Sequence, residues 1–448
     1  MQGPRTLLLA ATAAVLALGA MGGAIGGTGQ ARAATEIQWW HAMGGALGEK
    51  VAEIAKGFND SQSDYQLVPT HKGNYTENMT AGIAAFRAGK QPHILQVFEV
   101  GTATMMAAKG AIKPVYQLMQ EAGEPFDPAA YLETVTGYYT DPQGNMLSMP
   151  FNSSTPVLYY NKDAFAKAGL DPEQPPKTWE EVAKVTEKTQ AAGYPCGFST
   201  AWQSWVQLEN FSAWHDLPIG SKANGFEGLD SEFQINSPAH VKHIQQLADW
   251  QQDGIYKYGG RRGDSQALFT SGECVMYTQS SAGYAGIKKT ATDFTFGVGM
   301  LPYWPELKES PQNTIIGGAT LWVFEGHGEA DYKGVARFFS YLASPEVQAD
   351  WHQATGYLPI THAAYELTKK QGFYDANPGT ETALLQMTLN APTENSRGLR
   401  FGNFVQIRDV FNEELEAVWG GSKTAQQALD DAAARGNDLL RKFEKANQ

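Results

Sequence analysis

Cysteine is almost absent from the 448-residue chain, which contains only Cys196 and Cys274. Two cysteines are too few for a disulfide framework. Neither sits in a Cys-x-x-Cys or Cys/His cluster, which argues against a cysteine-based metal centre. Two thiols in an oxidising compartment can pair or stay free, and their spacing favours neither outcome. Charged residues are also few, at 18%, against 42% hydrophobic and 11% aromatic, which excludes a disordered chain and allows a sizeable core. Internal repeats and low-complexity runs are missing. Beyond residue 34 no apolar run approaches the length that spans a bilayer.

Catalytic signatures are missing as well. There is no His-Glu-x-x-His zinc motif and no Gly-x-Ser-x-Gly nucleophile elbow. Ala88-Gly89-Lys90-Gln91 lacks the hydroxyl residue that a phosphate loop carries after its lysine, and no EF-hand carboxylate ladder appears. His41, His71 and His93 do not have metal-ligand spacing. A secreted hydrolase with two carboxylates far apart in sequence is the enzyme reading that survives. Neither a metal nor another cofactor is expected.

What is present begins with a leader. Arg5 precedes the apolar run Leu7–Ala20, and Ala31-Arg32-Ala33 fits the small-x-small cleavage rule. Residues 1–33 are expected to be a signal peptide cleaved near Ala33, which places the mature chain in the periplasm. The formal charge of −13 becomes about −15 without the two leader arginines. That balance argues against nucleic acid or an anionic lipid surface as partner. An anionic small ligand would have to be held by local donors against an unfavourable overall field.

Along the mature chain, Ile37–Trp40 reads as a strand. Leu47, Val51, Ile54 and Phe58 then recur at the spacing of an amphipathic helix. A strand at Leu67-Val68, a helix carrying Met79, Ile83 and Phe86, and a strand at 93–98 follow. Strand, helix, strand, helix, strand predicts a parallel sheet with crossover helices. The polar, Pro-flanked stretch 150–156 breaks this pattern before the strand Val157–Tyr160 and predicts a crossing between two lobes. A second crossing is expected at 311–318. Asn161, the Thr178 capping box, Ser344-Pro345-Glu346 and a last helix from about Thr424 mark further helix starts. The expected fold class is α/β, in two lobes of a hinge-closing binding protein. The boundaries are 34–152 plus 314–360 for one lobe and 153–313 plus 361–448 for the other.

Several stretches carry a resemblance. They are Lys72-Gly73-Asn74-Tyr75, Gly82–Arg87, Gln96–Met106 (QVFEVGTATMM), Pro150–Gln174, Trp202–Trp214 (WQSWVQLENFSAW), Ile315–Ala319 and Thr355–Thr361 (TGYLPIT). In this order they span nearly the whole mature chain. It resembles the glycerol-3-phosphate receptors of ABC importers, within the family of carbohydrate-type extracellular solute-binding proteins. The resemblance implies a maltose-binding-protein-like fold with the ligand in the interlobe cleft. It also implies sn-glycerol 3-phosphate or a glycerophosphodiester such as glycerophosphocholine as ligand, and a monomer that delivers it to a transmembrane permease driven by an ATPase. A receptor for a neutral sugar is the alternative.

Position by position, the resemblance assigns the ligand to Tyr75, Glu99, Ser154, Trp202, Trp205, Ser280, Gly318, Tyr357 and Arg408. Arg408 would bind phosphate through its planar fork, and Glu99 would accept glycerol hydroxyls. Trp202 and Trp205 would line the far wall, Ser154 and Ser280 would donate, and Gly318 would let backbone approach. Two departures stand out. Ala42 replaces a serine common in relatives, and Phe404-Val405 replaces a Met-Pro pair before Arg408, which leaves Arg400 as the fallback cation.

Overall fold

Alternating strands and amphipathic helices near the N-terminus build the parallel half of one sheet. The computed structural model describes residues 33–448, so the expected leader lies, but for its last residue, outside the described residues. Thr35–His41 (β1) buries Ile37 and Trp39 on one face, the period of two that a strand requires. It pairs in parallel with Tyr65–His71 (β2) and with Ile94–Phe98 (β3). Gly45–Ser61 (α1) makes the first crossover and buries Val51, Ile54 and Phe58. Tyr75–Arg87 (α2) makes the second, opened by a capping box between Asn74 and Glu77. Ile112–Lys113 (β4), Met149–Ser154 (β5) and Gly317–Phe324 (β10) complete the sheet in antiparallel sense. The order is β2-β1-β3-β10-β4, with β5 also on β10.

The second sheet is formed by Pro156–Asn161 (β6), Cys196–Thr200 (β7), Cys274–Ser280 (β8) and Phe296–Gly299 (β9), in the order β7-β8-β6-β9. Thr155 alone separates β5 from β6, so the chain changes sheets within one residue. It returns between β9 and β10. The outgoing and returning segments are tied together where they cross: Thr155 Oγ1 lies 2.7 Å from Thr314 Oγ1 and donates to the Ile315 carbonyl at 3.1 Å. Both groups are buried, which makes this pair a fixed point between the sheets.

Cys196 and Cys274 are register partners on parallel β7 and β8, with Cα atoms 4.4 Å apart, and they form a disulfide. The helices Phe404–Trp419 and Ala425–Asn447 pack on each other and on Pro238–Gln252, beside the second sheet. Thr424 caps the last of them in a full capping box, and Leu429, Leu440 and Phe443 are buried. Across the gap between the sheets, the helix Gly283–Thr290 packs on α1 and on Pro345–Thr355. The two lobes therefore meet around a cleft. No described helix is long and apolar enough to cross a membrane.

Candidate ligand-binding cleft

The floor of the cleft is the junction of β5 and β10. Gly318 has φ +95°, and a Cβ there would lie 1.8 Å from the Asn152 carbonyl oxygen, so only glycine fits. At Gly317 a Cβ would lie 2.3 Å from the Trp205 ring, whose indole occupies that space. Below the floor runs a chain of buried amides. The Ala42 N–H donates to Gln96 Oε1 at 2.8 Å, Gln96 Nε2 donates to Asn152 Oδ1 at 2.8 Å, and Asn152 Nδ2 donates to the Tyr75 hydroxyl at 2.9 Å. Tyr75 stacks on Phe98 with centroids 5.2 Å apart, and Tyr357 stacks on Trp351 at 5.5 Å. Burial, and then the neighbouring Tyr357 hydroxyl, push the Tyr75 phenol well above its ordinary range. Both tyrosines therefore enter the cleft as neutral hydroxyls.

The opposite wall contains an irregularity. Trp205–Asn210 is a π-helical turn inside an otherwise α-helical segment, a form that recurs at functional sites. It carries Trp205 and Glu209, both buried. The Trp205 Nε1 hydrogen has no acceptor among the described residues.

Arg408, on Phe404–Trp419, is held between two carboxylates. Its Nε and Nη2 donate to Glu209 at 2.8 and 2.5 Å, and its Nη1 is 2.7 Å from Glu99 Oε1. All three side chains are almost fully buried. Burial alone would lower the guanidinium pKa; Glu209 and Glu99 outweigh it and hold the value above its ordinary range. The Glu209 pKa is raised as well. Burial raises its carboxyl, Arg408 opposes that, and Glu99 adds to it. The cluster locks Glu99 across the cleft. Arg408's formal charge is more than balanced, leaving one free hydrogen on each terminal nitrogen. Arg400, the fallback cation, is not on the cleft wall. Its Nη2 donates to the carbonyls of Tyr138 and Thr140 at 2.9 and 3.1 Å, and burial lowers its pKa to about 10.

All nine residues singled out in the sequence, Tyr75, Glu99, Ser154, Trp202, Trp205, Ser280, Gly318, Tyr357 and Arg408, line this one cleft of about 480 Å³. Sequence reading missed the helix ends around it. The first residues of α1, whose N-cap Gly44 has no side chain to cap with, face the cleft. So do the first residues of Gly283–Thr290, whose N-cap Ala282 is equally bare. Asn74 brings the start of α2 to the same place. Uncapped N-termini present unpaired N–H groups and a partial positive charge. The signal was legible as Gly44-Gly45 and Ala282-Gly283 ahead of helical patterns.

Arg262 was missed too. It lines the cleft and an adjoining chamber of about 570 Å³, with which the cleft shares Thr76, Phe98, Trp202 and Arg408. Arg262 and Trp202 both have left-handed backbone, φ +56° and +45°, and the Trp202 N–H donates to the Arg262 carbonyl at 2.7 Å. Such conformations cost about 1–3 kcal/mol each in a non-glycine residue and gather at ligand clamps.

One grouping of possible metal ligands occurs among the described residues: His93, His327 and Asp331. His93 lies just before the start of β3, whereas Glu99 of the cleft follows its end. His93 Nδ1 accepts the Gln38 N–H at 2.9 Å, so in the neutral ring the proton is on Nε2, which then has no lone pair to offer.

The chain matches the family model described as bacterial extracellular solute-binding protein over residues 53–382. The chain belongs to the bacterial extracellular solute-binding proteins. Within that family it is 57% identical to the sn-glycerol-3-phosphate-binding periplasmic protein UgpB of Yersinia pseudotuberculosis, over 93% of this chain and 95% of the relative. It is equally similar, at 57%, to UgpB of Salmonella typhimurium, over 94% and 96%. Among solved structures, UgpB from Mycobacterium tuberculosis in complex with glycerophosphocholine superposes with a TM-score of 0.77 at 20% identity, covering 92% and 99%. Maltose-bound MalE3 of T. maritima gives 0.73 at 18%, covering 91% and 100%. The likenesses at this low identity show the fold, a two-lobed binding protein of the maltose-binding type. The similar proteins are named as binding proteins, in keeping with a chain that lacks catalytic signatures.

Proposed function

We propose that the mature chain is a periplasmic receptor for sn-glycerol 3-phosphate and for glycerophosphodiesters such as glycerophosphocholine. It captures the ligand between its lobes as a monomer, closes about the crossings at Thr155 and Thr314, and delivers it to the permease of an ABC importer whose ATPase is a separate chain. The leader, residues 1–33, is removed on export.

The observation that carries the ligand assignment is the convergence of two uncapped helix N-termini on a cleft whose carboxylate, Glu99, is tied down by Arg408. The phosphate is held at the N–H groups of α1 and Gly283–Thr290, a ready-made anion site in a protein of strongly negative charge. The glycerol hydroxyls face Glu99, whose position Arg408 fixes and whose second oxygen is free to accept. Tyr75 and Tyr357 donate as neutral hydroxyls, and the indoles of Trp202 and Trp205 cover the three-carbon body. Arg408 then acts chiefly by holding Glu99, and its spare hydrogens reach the ligand second. Two similar relatives are named for binding sn-glycerol 3-phosphate, which supports this reading over a neutral-sugar receptor.

Calorimetric titration of the leaderless protein tests it. Saturable binding of glycerol 3-phosphate or glycerophosphocholine is expected, with no heat from maltose and no product released. Binding of maltose alone, or hydrolysis of the diester, would remove the reading.

A further inference from the structure

Three arginines line the cleft and its adjoining chamber, and two of them are occupied. Arg408 is held by Glu99 and Glu209. Arg261 forms a two-point pair with Glu416, both contacts at 2.6 Å, and Tyr258 donates to the same carboxylate at 2.7 Å. Arg262 is different. Its guanidinium has no carboxylate within 4.0 Å and no hydrogen-bond acceptor among the described residues, although it stands in an acid-rich protein.

The backbone is bent to place it there. Arg262 adopts a left-handed conformation inside Gly259-Gly260-Arg261-Arg262-Gly263, and its carbonyl is pinned by the N–H of Trp202, which is itself left-handed. Two non-glycine residues in that region, bonded to each other at a cleft wall, mark a segment constrained for position. Beside them the buried Trp205 Nε1 hydrogen also lacks an acceptor. Two unpaired side-chain donors, Trp205 Nε1 and the Arg262 guanidinium, thus share the wall that also carries Trp202.

Resting on the receptor reading above, we infer that Arg262 is the cationic residue that selects for a phosphate-bearing ligand. It closes over the anion at the boundary of the two chambers, while Arg408 remains committed to the carboxylates. An unpaired guanidinium gains two charge-assisted hydrogen bonds to phosphate without giving up an existing pair. Arg408 could make the same bonds only beside two carboxylates that repel the anion. Because Arg262 is exposed, its charge acts on encounter as well as on binding, which makes the contact sensitive to salt.

The test titrates glycerol 3-phosphate into wild type, Arg262→Gln and Arg262→Lys at low and high sodium chloride, with thermal melts of each. Arg262→Gln should melt as wild type does, bind about ten- to a hundredfold more weakly, and show a flatter salt dependence. Arg262→Lys should keep most of the salt dependence while losing part of the affinity, because the charge survives and the fork does not. Binding by Arg262→Gln within about twofold of wild type, with the same salt slope, would make Arg262 a solvated rim charge and overturn the inference. Equal weakening in both variants with an unchanged salt slope would also overturn it, because the loop would then act only by placing Trp202. Should wild type itself ignore glycerol 3-phosphate and glycerophosphocholine, the receptor reading falls first, and visibly so.

Discussion

Arg408→Ala should destabilise the protein by about 3–5 kcal/mol at pH 8 and abolish measurable ligand binding, because it strands two buried carboxylates. Glu99 and Glu209 each contact the guanidinium directly, and among the described residues neither has another cation within 4.0 Å. The loss should depend on pH in a definite direction. Glu209 already has a raised pKa from burial, with Arg408 opposing that rise. Removing Arg408 removes the opposition, so the folded-state pKa climbs further above the unfolded value. A group with a raised folded pKa stabilises the fold below its unfolded pKa and loses that contribution as pH rises through the folded pKa. The variant should therefore sit closest to wild type near pH 5, and its deficit should widen toward pH 8. Thermal melts across that range, with Glu209→Gln as the milder companion, check this. A deficit under about 1 kcal/mol, or one independent of pH, would mean that the carboxylates are better solvated than the geometry shows.

Cutting the disulfide should have a comparable effect. Cys196 and Cys274 are 78 residues apart, and closing a loop of that length in the unfolded chain is worth about 4–5 kcal/mol in the chain-entropy account. Cys196→Ser with Cys274→Ser, or reduction of wild type, should lower the melting temperature by several degrees. The effect reaches the cleft, since β8 ends at Ser280 and β7 leads directly to Trp202. A melting temperature unchanged by reductant would mean that the two thiols are not bonded in solution.

The scaffold was largely legible in the sequence because it is set by local rules. The stripe at Val51, Ile54 and Phe58, the boxes at Thr178 and Thr424, and the turn at Gly356 each act within a few residues. The single-residue change of sheets at Thr155 left a visible trace in the Pro150–Pro156 stretch. The walls of the cleft were reached through resemblance, since nothing about Ser154 or Tyr357 alone separates a site residue from a turn residue. Three features lay beyond either route. Glu209 partners Arg408 across 199 residues, and no spacing rule joins them. The π turn at Trp205–Asn210, whose first ring packs against Gly317, has no composition of its own. The left-handed Arg262 is bonded to the Trp202 N–H, a contact between residues 60 positions apart in sequence. Each is tertiary, and each alters how the site works rather than where it is.

Where the anion sits is shown directly by a crystal structure of the leaderless protein grown with glycerol 3-phosphate. The phosphate oxygens should lie about 2.7–3.2 Å from N–H groups at the starts of α1 and Gly283–Thr290 and from Arg262, with the glycerol hydroxyls turned to Glu99. Phosphate bound on Arg408, with the Glu99 and Glu209 pairs broken and Arg262 left in solvent, would contradict that placement.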